Sequence, residues 1–254
     1  MLLSPILLLA GTLAGFQASD GEAVVRAAHA KYAGKWPTSY TYVQKTTLPD
    51  GRLESWYHAV QLPGLLRVDV APDITGRAMI YRRDSLYTYG AKKTKTRGAW
   101  ANSFLLLLGD LHVAPPAETI KRLRKFGYNL ASTHETTWQG KKVIVVGARA
   151  GDLSSKQFWL EKDRMILVRL IEPNAADPRR PMDAHIGKYA AAGKAWIERE
   201  IKVHLGGQLV QTQEYFDVRS DVPIEPVIFD PGPYKLPAWV GAFPDVWGKP
   251  VRIR

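Results

Sequence analysis

The sequence contains no cysteine, and this absence excludes several kinds of chemistry. Disulfides, thiolate zinc sites, iron–sulfur clusters and cysteine nucleophiles all need that residue. A lipid anchor attached to cysteine is excluded for the same reason. Beyond residue 18 the chain has no run of eighteen apolar residues, so we expect the mature protein to be soluble and to have no membrane-spanning helix.

Recognisable catalytic motifs are also missing. The sequence has no G-x-S-x-G elbow, no P-loop, no H-E-x-x-H and no G-x-G-x-x-G after a strand. No two of the six histidines lie three to five residues apart, which excludes a helical metal pair. A metal site or a carboxylate pair assembled from distant strands stays open. We therefore predict a protein that is not an enzyme, with no catalytic residue, no metal ligand and no cofactor.

The composition is that of an ordinary globular protein. The 254 residues are 46% hydrophobic and 23% charged, which argues against disorder and suits one large domain or two small ones. Lys and Arg number 35 against 24 Asp and Glu, so the net charge is +11. The basic residues form only small clusters, and they do not alternate with aromatic residues as they do on the strands of an RNA-binding sheet. We expect no nucleic acid, and instead an envelope protein partner or an anionic membrane surface.

Residues 1–18 have the pattern of a secretory signal peptide. An apolar stretch, 2–13, is too short to cross a bilayer core of ~30 Å, and small residues follow it. The α-amino group is the only positive charge before Arg26. A buried N-terminal helix is the alternative. We predict export to the periplasm and cleavage of this segment.

Hydrophobic spacing predicts a mainly β domain over residues 19–231. A helix over 20–35 can begin at Asp20, a residue type that favours the N-cap position. From residue 39 the period changes to two, and turn residues divide the pattern into about ten or eleven antiparallel strands. There is no βαβ rhythm, so a doubly wound nucleotide-binding fold is excluded.

The middle and the end of the chain break this strand pattern. A basic loop over 92–97 precedes an apolar segment, 99–108, which has the character of a buried helix or lid. A second, more polar helix is predicted over 117–126. From residue 223 prolines become frequent, and we predict that residues 232–254 form an irregular, basic, Pro-rich tail.

A large antiparallel sheet must cover its apolar face or use it. A sheet with a helical lid can enclose a cavity for acyl chains, because burying each methylene stabilises by about 0.8 kcal/mol. The alternative is that the helices fill the sheet as an ordinary core. A register error of one residue would reverse the assignment of faces. The predicted cavity residues are Leu66, Val68, Met79, Tyr81, Phe158, Leu160, Leu167, Ile197 and Ile201, and the predicted lid residues are Phe104, Leu105 and Leu106.

The order of these features resembles the LolA-type outer-membrane lipoprotein-sorting, or lipoprotein-carrier, superfamily. A leader and one helix are followed by strands and by an apolar helix that contains Trp100 and ends in Leu-Gly-Asp at 108–110. Further strands include QFWLEKD at 157–163. A late hairpin ends in EYFDV at 214–218, and IFDP at 228–231 lies just beyond.

The resemblance covers most of residues 20–231 and implies an unclosed β-barrel with a helical lid. It implies a non-catalytic periplasmic carrier whose cavity binds lipoprotein acyl chains or other lipids. The half-barrel also resembles the sensing domain of periplasmic anti-sigma-factor regulators, so a regulatory module that acts through a protein partner is the alternative. The family's well-known carriers switch state through an arginine, but no motif aligns Arg67 or Arg77 with it.

Overall fold

The computed structural model describes residues 20–70, 77–90, 95–99 and 102–237. The predicted signal peptide, Trp100 and residues 238–254 of the predicted tail lie outside these ranges. No helix in the described ranges is both long enough and apolar enough to cross a membrane.

Thirteen strands form one antiparallel sheet in the order β6-β5-β4-β3-β2-β1-β15-β14-β11-β10-β9-β8-β7. The sheet is not closed, because β6 and β7 lie at its two ends. A separate two-stranded sheet pairs β12 with β13. The strands are β1 (Ser39–Thr47), β2 (Leu53–Gln61), β3 (Leu65–Val70), β4 (Ala78–Arg82), β5 (Ser85–Tyr89), β6 (Lys95–Ala99), β7 (Thr133–Trp138), β8 (Lys141–Val146), β9 (Gln157–Glu161), β10 (Ile166–Glu172), β11 (Met182–Gly187), β12 (Ala190–Ala192), β13 (Ala195–Ile197), β14 (Glu200–Leu205) and β15 (Gln208–Ser220).

The α-helices and a π-helical segment pack on one face of the sheet, which we call the inner face. Asp20 is the N-cap of helix α1 (Gly21–Tyr32), and its carboxylate accepts the Glu22 N–H at 2.9 Å. A π-helical segment, Leu105–Asp110, continues into α2 (Leu111–Val113), and α3 (Pro116–Lys125) follows. A short 3-10 helix, Pro226–Phe229, lies near the end of the described chain. We call the continuous helical residues 103–113 the lid.

Period-two alternation decides which side chains meet the helices. In β3, Leu66, Val68 and Val70 belong to the main hydrophobic core on the inner face, together with α1 and the lid. Arg67 and Asp69 alternate with them and are buried on the outer face. The core is built from the residues that repeat every second position, as a one-sided sheet requires.

The structure confirms the predicted fold class, a mainly β, unclosed antiparallel architecture with helices, and corrects several details. Residues 95–97, predicted as loop, lie in the edge strand β6, whose exposed residues carry no alternation signal. Strand β11 and the β12–β13 hairpin raise the strand count above the predicted ten or eleven. The predicted strand 195–205 is divided into β13 and β14. The lid starts at 103 rather than 99.

Candidate functional site

A cavity of about 260 Å³ lies between the inner face and the lid. Its wall is drawn from the adjacent strands β4, β3, β2, β1 and β15, from the start of the lid, and from the segment between β13 and β14. The lining residues are mostly apolar or aromatic: Tyr40, Tyr42, Gln44, Trp56, His58, Val60, Leu66, Val68, Met79, Tyr81, Asn102, Phe104, Leu105, Leu108, Glu198, Gln213 and Tyr215.

The structure brings part of the predicted site together. The predicted residues on β3 and β4, namely Leu66, Val68, Met79 and Tyr81, all line the cavity. In the lid, Phe104 and Leu105 also line it, whereas Leu106 is fully buried in the core.

The other predicted cavity residues lie in the core instead. Phe158 and Leu160 are 0% exposed, and the ring of Tyr128 packs edge-on against Phe158 at 5.5 Å. Leu167, Ile197 and Ile201 are buried in the same cluster. The ordinary-core alternative therefore describes β9 and β10, whereas the cavity lies over β1 to β4 and β15.

The end of the lid is attached to the β2–β3 turn. Gly109 lies so close to Leu62 that a Cβ added to the glycine would be 2.6 Å from a Leu62 methyl carbon. The next residue, Asp110, is fully buried and accepts the Gly64 N–H at 2.8 Å, while its second carboxylate oxygen accepts a hydrogen bond from Arg122. At the lid's beginning, the Ser103 hydroxyl donates to Glu172 at 2.6 Å.

An aromatic ladder crosses the cavity wall from β2 through β1 to β15. The His58 ring stacks on Tyr42 at 4.3 Å, and Tyr42 stacks on Tyr215 at 4.6 Å. Trp56 continues the series along β2, 6.4 Å from His58. Within the described residues neither ring nitrogen of His58 has a hydrogen-bond partner, and burial lowers the pKa of His58 to about 3. The imidazole is therefore neutral at physiological pH.

Sequence reasoning missed the aromatic ladder, and it also missed Glu198. It lies in the break between β13 and β14, where the predicted strand was drawn as continuous, and it is buried in the cavity wall. Burial raises the pKa of this carboxyl to about 8, and a hydrogen bond from its own backbone N–H offsets this only in part. Glu198 is followed by Arg199 and Glu200, so no signal in the sequence sets it apart from its charged neighbours.

The outer face carries a different structure at the same strands. Arg67 is buried there and donates to both carboxylate oxygens of Asp69, at 2.8 and 3.0 Å. It also donates to the backbone carbonyls of Ile228 and Lys235, at 2.9 and 2.6 Å, and the Tyr234 hydroxyl donates to Asp69. These contacts hold residues 228–235 against the outer face, so Arg67 points away from the cavity.

The residues in the described ranges contain no group of three or more His, Asp or Glu side chains that could hold a metal ion. The cavity offers apolar side chains, aromatic rings and a few hydrogen-bonding groups.

Comparisons with known proteins identify the fold. No protein-family model and no curated protein matches the sequence. Solved structures do match, among them an outer membrane lipoprotein-sorting protein domain from Vibrio parahaemolyticus (12% identity, TM-score 0.55, 83% of this chain and 96% of that one). A DUF1329 family protein from Desulfovibrio piger (12% identity, TM-score 0.54, 83% of this chain and 95% of that one) and a LolA superfamily protein from Nitrosomonas europaea (11% identity, TM-score 0.51, 84% of this chain and 98% of that one) are two further examples. The chain thus has the LolA-type fold.

Proposed function

We propose that this protein is a periplasmic, non-catalytic carrier that binds lipoprotein acyl chains or other lipids in the cavity under the lid. The observation that supports the proposal best is the cavity itself. On one side, where β3, β4 and the lid meet, its wall contains the apolar residues Leu66, Val68, Met79 and Phe104. Transfer of an alkyl chain to such a wall is favourable by about 0.8 kcal/mol for each methylene. The similarity to a lipoprotein-sorting domain and to a LolA superfamily protein supports the same function.

The size of the cavity implies that the lid moves during loading. Its volume of about 260 Å³ is just below the roughly 300 Å³ at which pockets for drug-sized ligands begin. A long acyl chain is bulky, so displacement of Phe104 and Leu105 would be needed to admit it. Five leucines of the lid, at 105–108 and 111, belong to the core on the inner face, and this apolar part of the lid would cover the ligand once it is bound.

The test is uptake of Nile red, a neutral apolar dye, by the mature protein and by two variants. Met79→Trp places a large ring in the cavity wall and should reduce dye binding at least tenfold. Tyr87→Trp places the same ring on β5, on the outer face of the sheet, where Tyr87 pairs with Ile80. This variant should leave dye binding unchanged. Equal binding by both variants, or no uptake by the unmodified protein, would contradict the carrier proposal.

A second experiment addresses the natural cargo and the export of the protein. Native mass spectrometry of protein purified gently from the cell envelope should show a bound mass that matches a phospholipid or an acylated peptide. The protein should also lack residues 1–18. A ligand-free mass with the N-terminal segment still present would contradict both parts of the proposal.

A further inference from the structure

The two ends of the cavity differ in chemistry. At the β3 and β4 end the wall consists of Leu66, Val68 and Met79 together with Tyr81, whereas the β1 and β15 end carries the aromatic ladder and Glu198. Four strand spacings of about 4.8 Å separate β4 from β15, roughly 19 Å along the sheet. This shape fits an elongated amphiphile with its chain toward β4 and its polar end beside β15.

The charges at the wall decide which polar end is accepted. Among the described residues that line the cavity there is no Lys or Arg, and Glu198 is the one acidic side chain. A carboxylate or phosphate would therefore enter without a cationic partner, at a large desolvation cost. An ammonium group can pair with the Glu198 carboxylate and lie beside the ring of Tyr215, since aromatic rings attract cations.

His58 supplies a second, independent indication. Its two ring nitrogens are buried in the wall without a hydrogen-bond partner in the described part of the chain, although buried polar atoms are normally paired. Stacking on Tyr42 holds the ring plane in place. The neutral imidazole can accept one N–H, which a primary ammonium offers and a quaternary ammonium does not.

We propose that the cavity selects amphiphiles whose polar end is a protonated amine, held by Glu198, His58 and the ring of Tyr215, with the alkyl chain toward Leu66 and Met79. This inference rests on the proposed carrier function and narrows its ligand class.

Titration of Glu198 in the cavity wall should make the affinity for an ammonium ligand depend on pH. Four tyrosines face Glu198, namely Tyr40, Tyr42, Tyr189 and Tyr215, and burial raises each of their pKa values well above 10. His58 stays neutral because its pKa is lowered to about 3. Between pH 6 and 8 the Glu198 carboxyl, with a pKa of about 8, is thus the wall group that changes charge. Binding of an ammonium must expel its proton, so affinity rises about tenfold per pH unit up to about pH 8.

The experiment is isothermal titration calorimetry of the mature protein with three matched ligands below their micelle concentrations. Dodecylamine is protonated at every pH used, because alkyl ammonium groups such as that of Lys titrate near 10.4. Dodecanol and dodecanoate have the same chain with a neutral or an anionic end. Salt at about 0.15 M limits the repulsion between the ligand and the net charge of +11.

We expect dodecylamine to bind at least tenfold more tightly than dodecanol or dodecanoate at pH 8. At pH 6.5 its binding should release close to one proton, measured from the dependence of the heat on buffer ionisation. Glu198→Gln should abolish the proton release and the pH dependence of dodecylamine affinity. Its affinity for dodecanol should stay within threefold of that of the unmodified protein. His58→Phe should weaken dodecylamine more than dodecanol.

Two results separate failure of this inference from failure of the carrier function. If dodecanol binds but dodecylamine binds no better, or binds without proton release, the amine selectivity is wrong and the carrier function stands. If none of the three ligands binds, the carrier function itself is wrong.

Discussion

The carboxylate of Asp110 accepts the backbone N–H of Gly64 at 2.8 Å, and this hydrogen bond joins the end of the lid to the β2–β3 turn. Arg122, from α3, donates to the other carboxylate oxygen. Burial raises the pKa of Asp110 above its usual value. The hydrogen bond from Arg122 is the largest of the effects that lower this pKa, and it offsets the rise only in part. A single buried carboxylate therefore connects the lid, a turn of the sheet and the following helix.

Removal of this carboxylate should loosen the lid. Asp110→Ala leaves the Arg122 guanidinium without its buried partner, and such losses cost about 3–5 kcal/mol. Urea unfolding measures the loss, and amide hydrogen exchange at Gly64 should accelerate. Asp84→Ala is the matched control, because Asp84 pairs with Lys125 and Arg122 in a more exposed position and should cost no more than about 1 kcal/mol. Equal losses in the two variants would contradict the attachment.

A disulfide between the lid and the turn should block loading reversibly. A Cβ built on Gly109 lies 3.3 Å from Cγ of Leu62, close to the separation that a disulfide requires between the Cβ of one cysteine and the sulfur of the other. The chain contains no other cysteine. The oxidised Leu62→Cys, Gly109→Cys variant should take up Nile red at least tenfold more slowly than the reduced form. Unchanged uptake would show that loading does not require this end of the lid to move.

Arg67 should hold the late segment 228–235 to the outer face. Arg67→Met removes two donors to that segment and leaves Asp69 buried without its guanidinium partner, so we expect a loss of about 3 kcal/mol and faster proteolysis within 226–237. Arg82→Met, which breaks the exposed pair with Asp230, should cost under about 1 kcal/mol. Adding Asp69→Leu to Arg67→Met should recover part of the stability but not the protease resistance.

Two buried histidines should make the protein sensitive to acid. Burial lowers the pKa values of His58 and His112 to about 3, below the value of about 6.5 in an unfolded chain. The folded state thus binds fewer protons at these two histidines, so the stability that they contribute is fully present above about pH 6.5 and is lost as the pH falls toward 3. Each histidine should contribute about 1.4 kcal/mol per pH unit in that window.

His58→Phe keeps the ring stack on Tyr42 and removes the titration. Urea unfolding between pH 4 and 6.5 should show a slope shallower by about 1.4 kcal/mol per pH unit in this variant. His134→Phe, on the edge strand β7, serves as the control for loss of one histidine elsewhere. A slope unchanged by His58→Phe would mean that the ring is protonated in the folded protein.

Local patterns were sufficient to predict much of the fold. Alternation in β3 placed Leu66 and Val68 on one face and Arg67 on the other, as the structure shows. The N-cap of α1 at Asp20 and the apolar lid were also readable, because capping and all-round hydrophobicity are short-range signals.

What the sequence could not predict depends on contacts between distant segments. Phe158 and Leu160 have the same alternation as Leu66, yet both are fully buried in the core and the Tyr128 ring packs against Phe158. The position of Glu198 in the wall follows from a break between two strands, and strand breaks carry no periodic signal. The edge strand β6 was missed because its fully exposed residues have neither an apolar face nor alternation.

The order of the strands also has a consequence for how the chain folds. From β1 to β6 and from β7 to β11, each strand pairs with its neighbour in sequence, so both halves of the sheet can form by closing short loops. The pair between β1 and β15 joins the two halves and closes the longest loop in the sheet, from Thr47 to Thr212. Loop-closure entropy grows with loop length, so we expect this seam to form after the two halves. Because Tyr42 of β1 and Tyr215 of β15 meet across that seam, the amine end of the cavity should be the last part of the wall to be assembled.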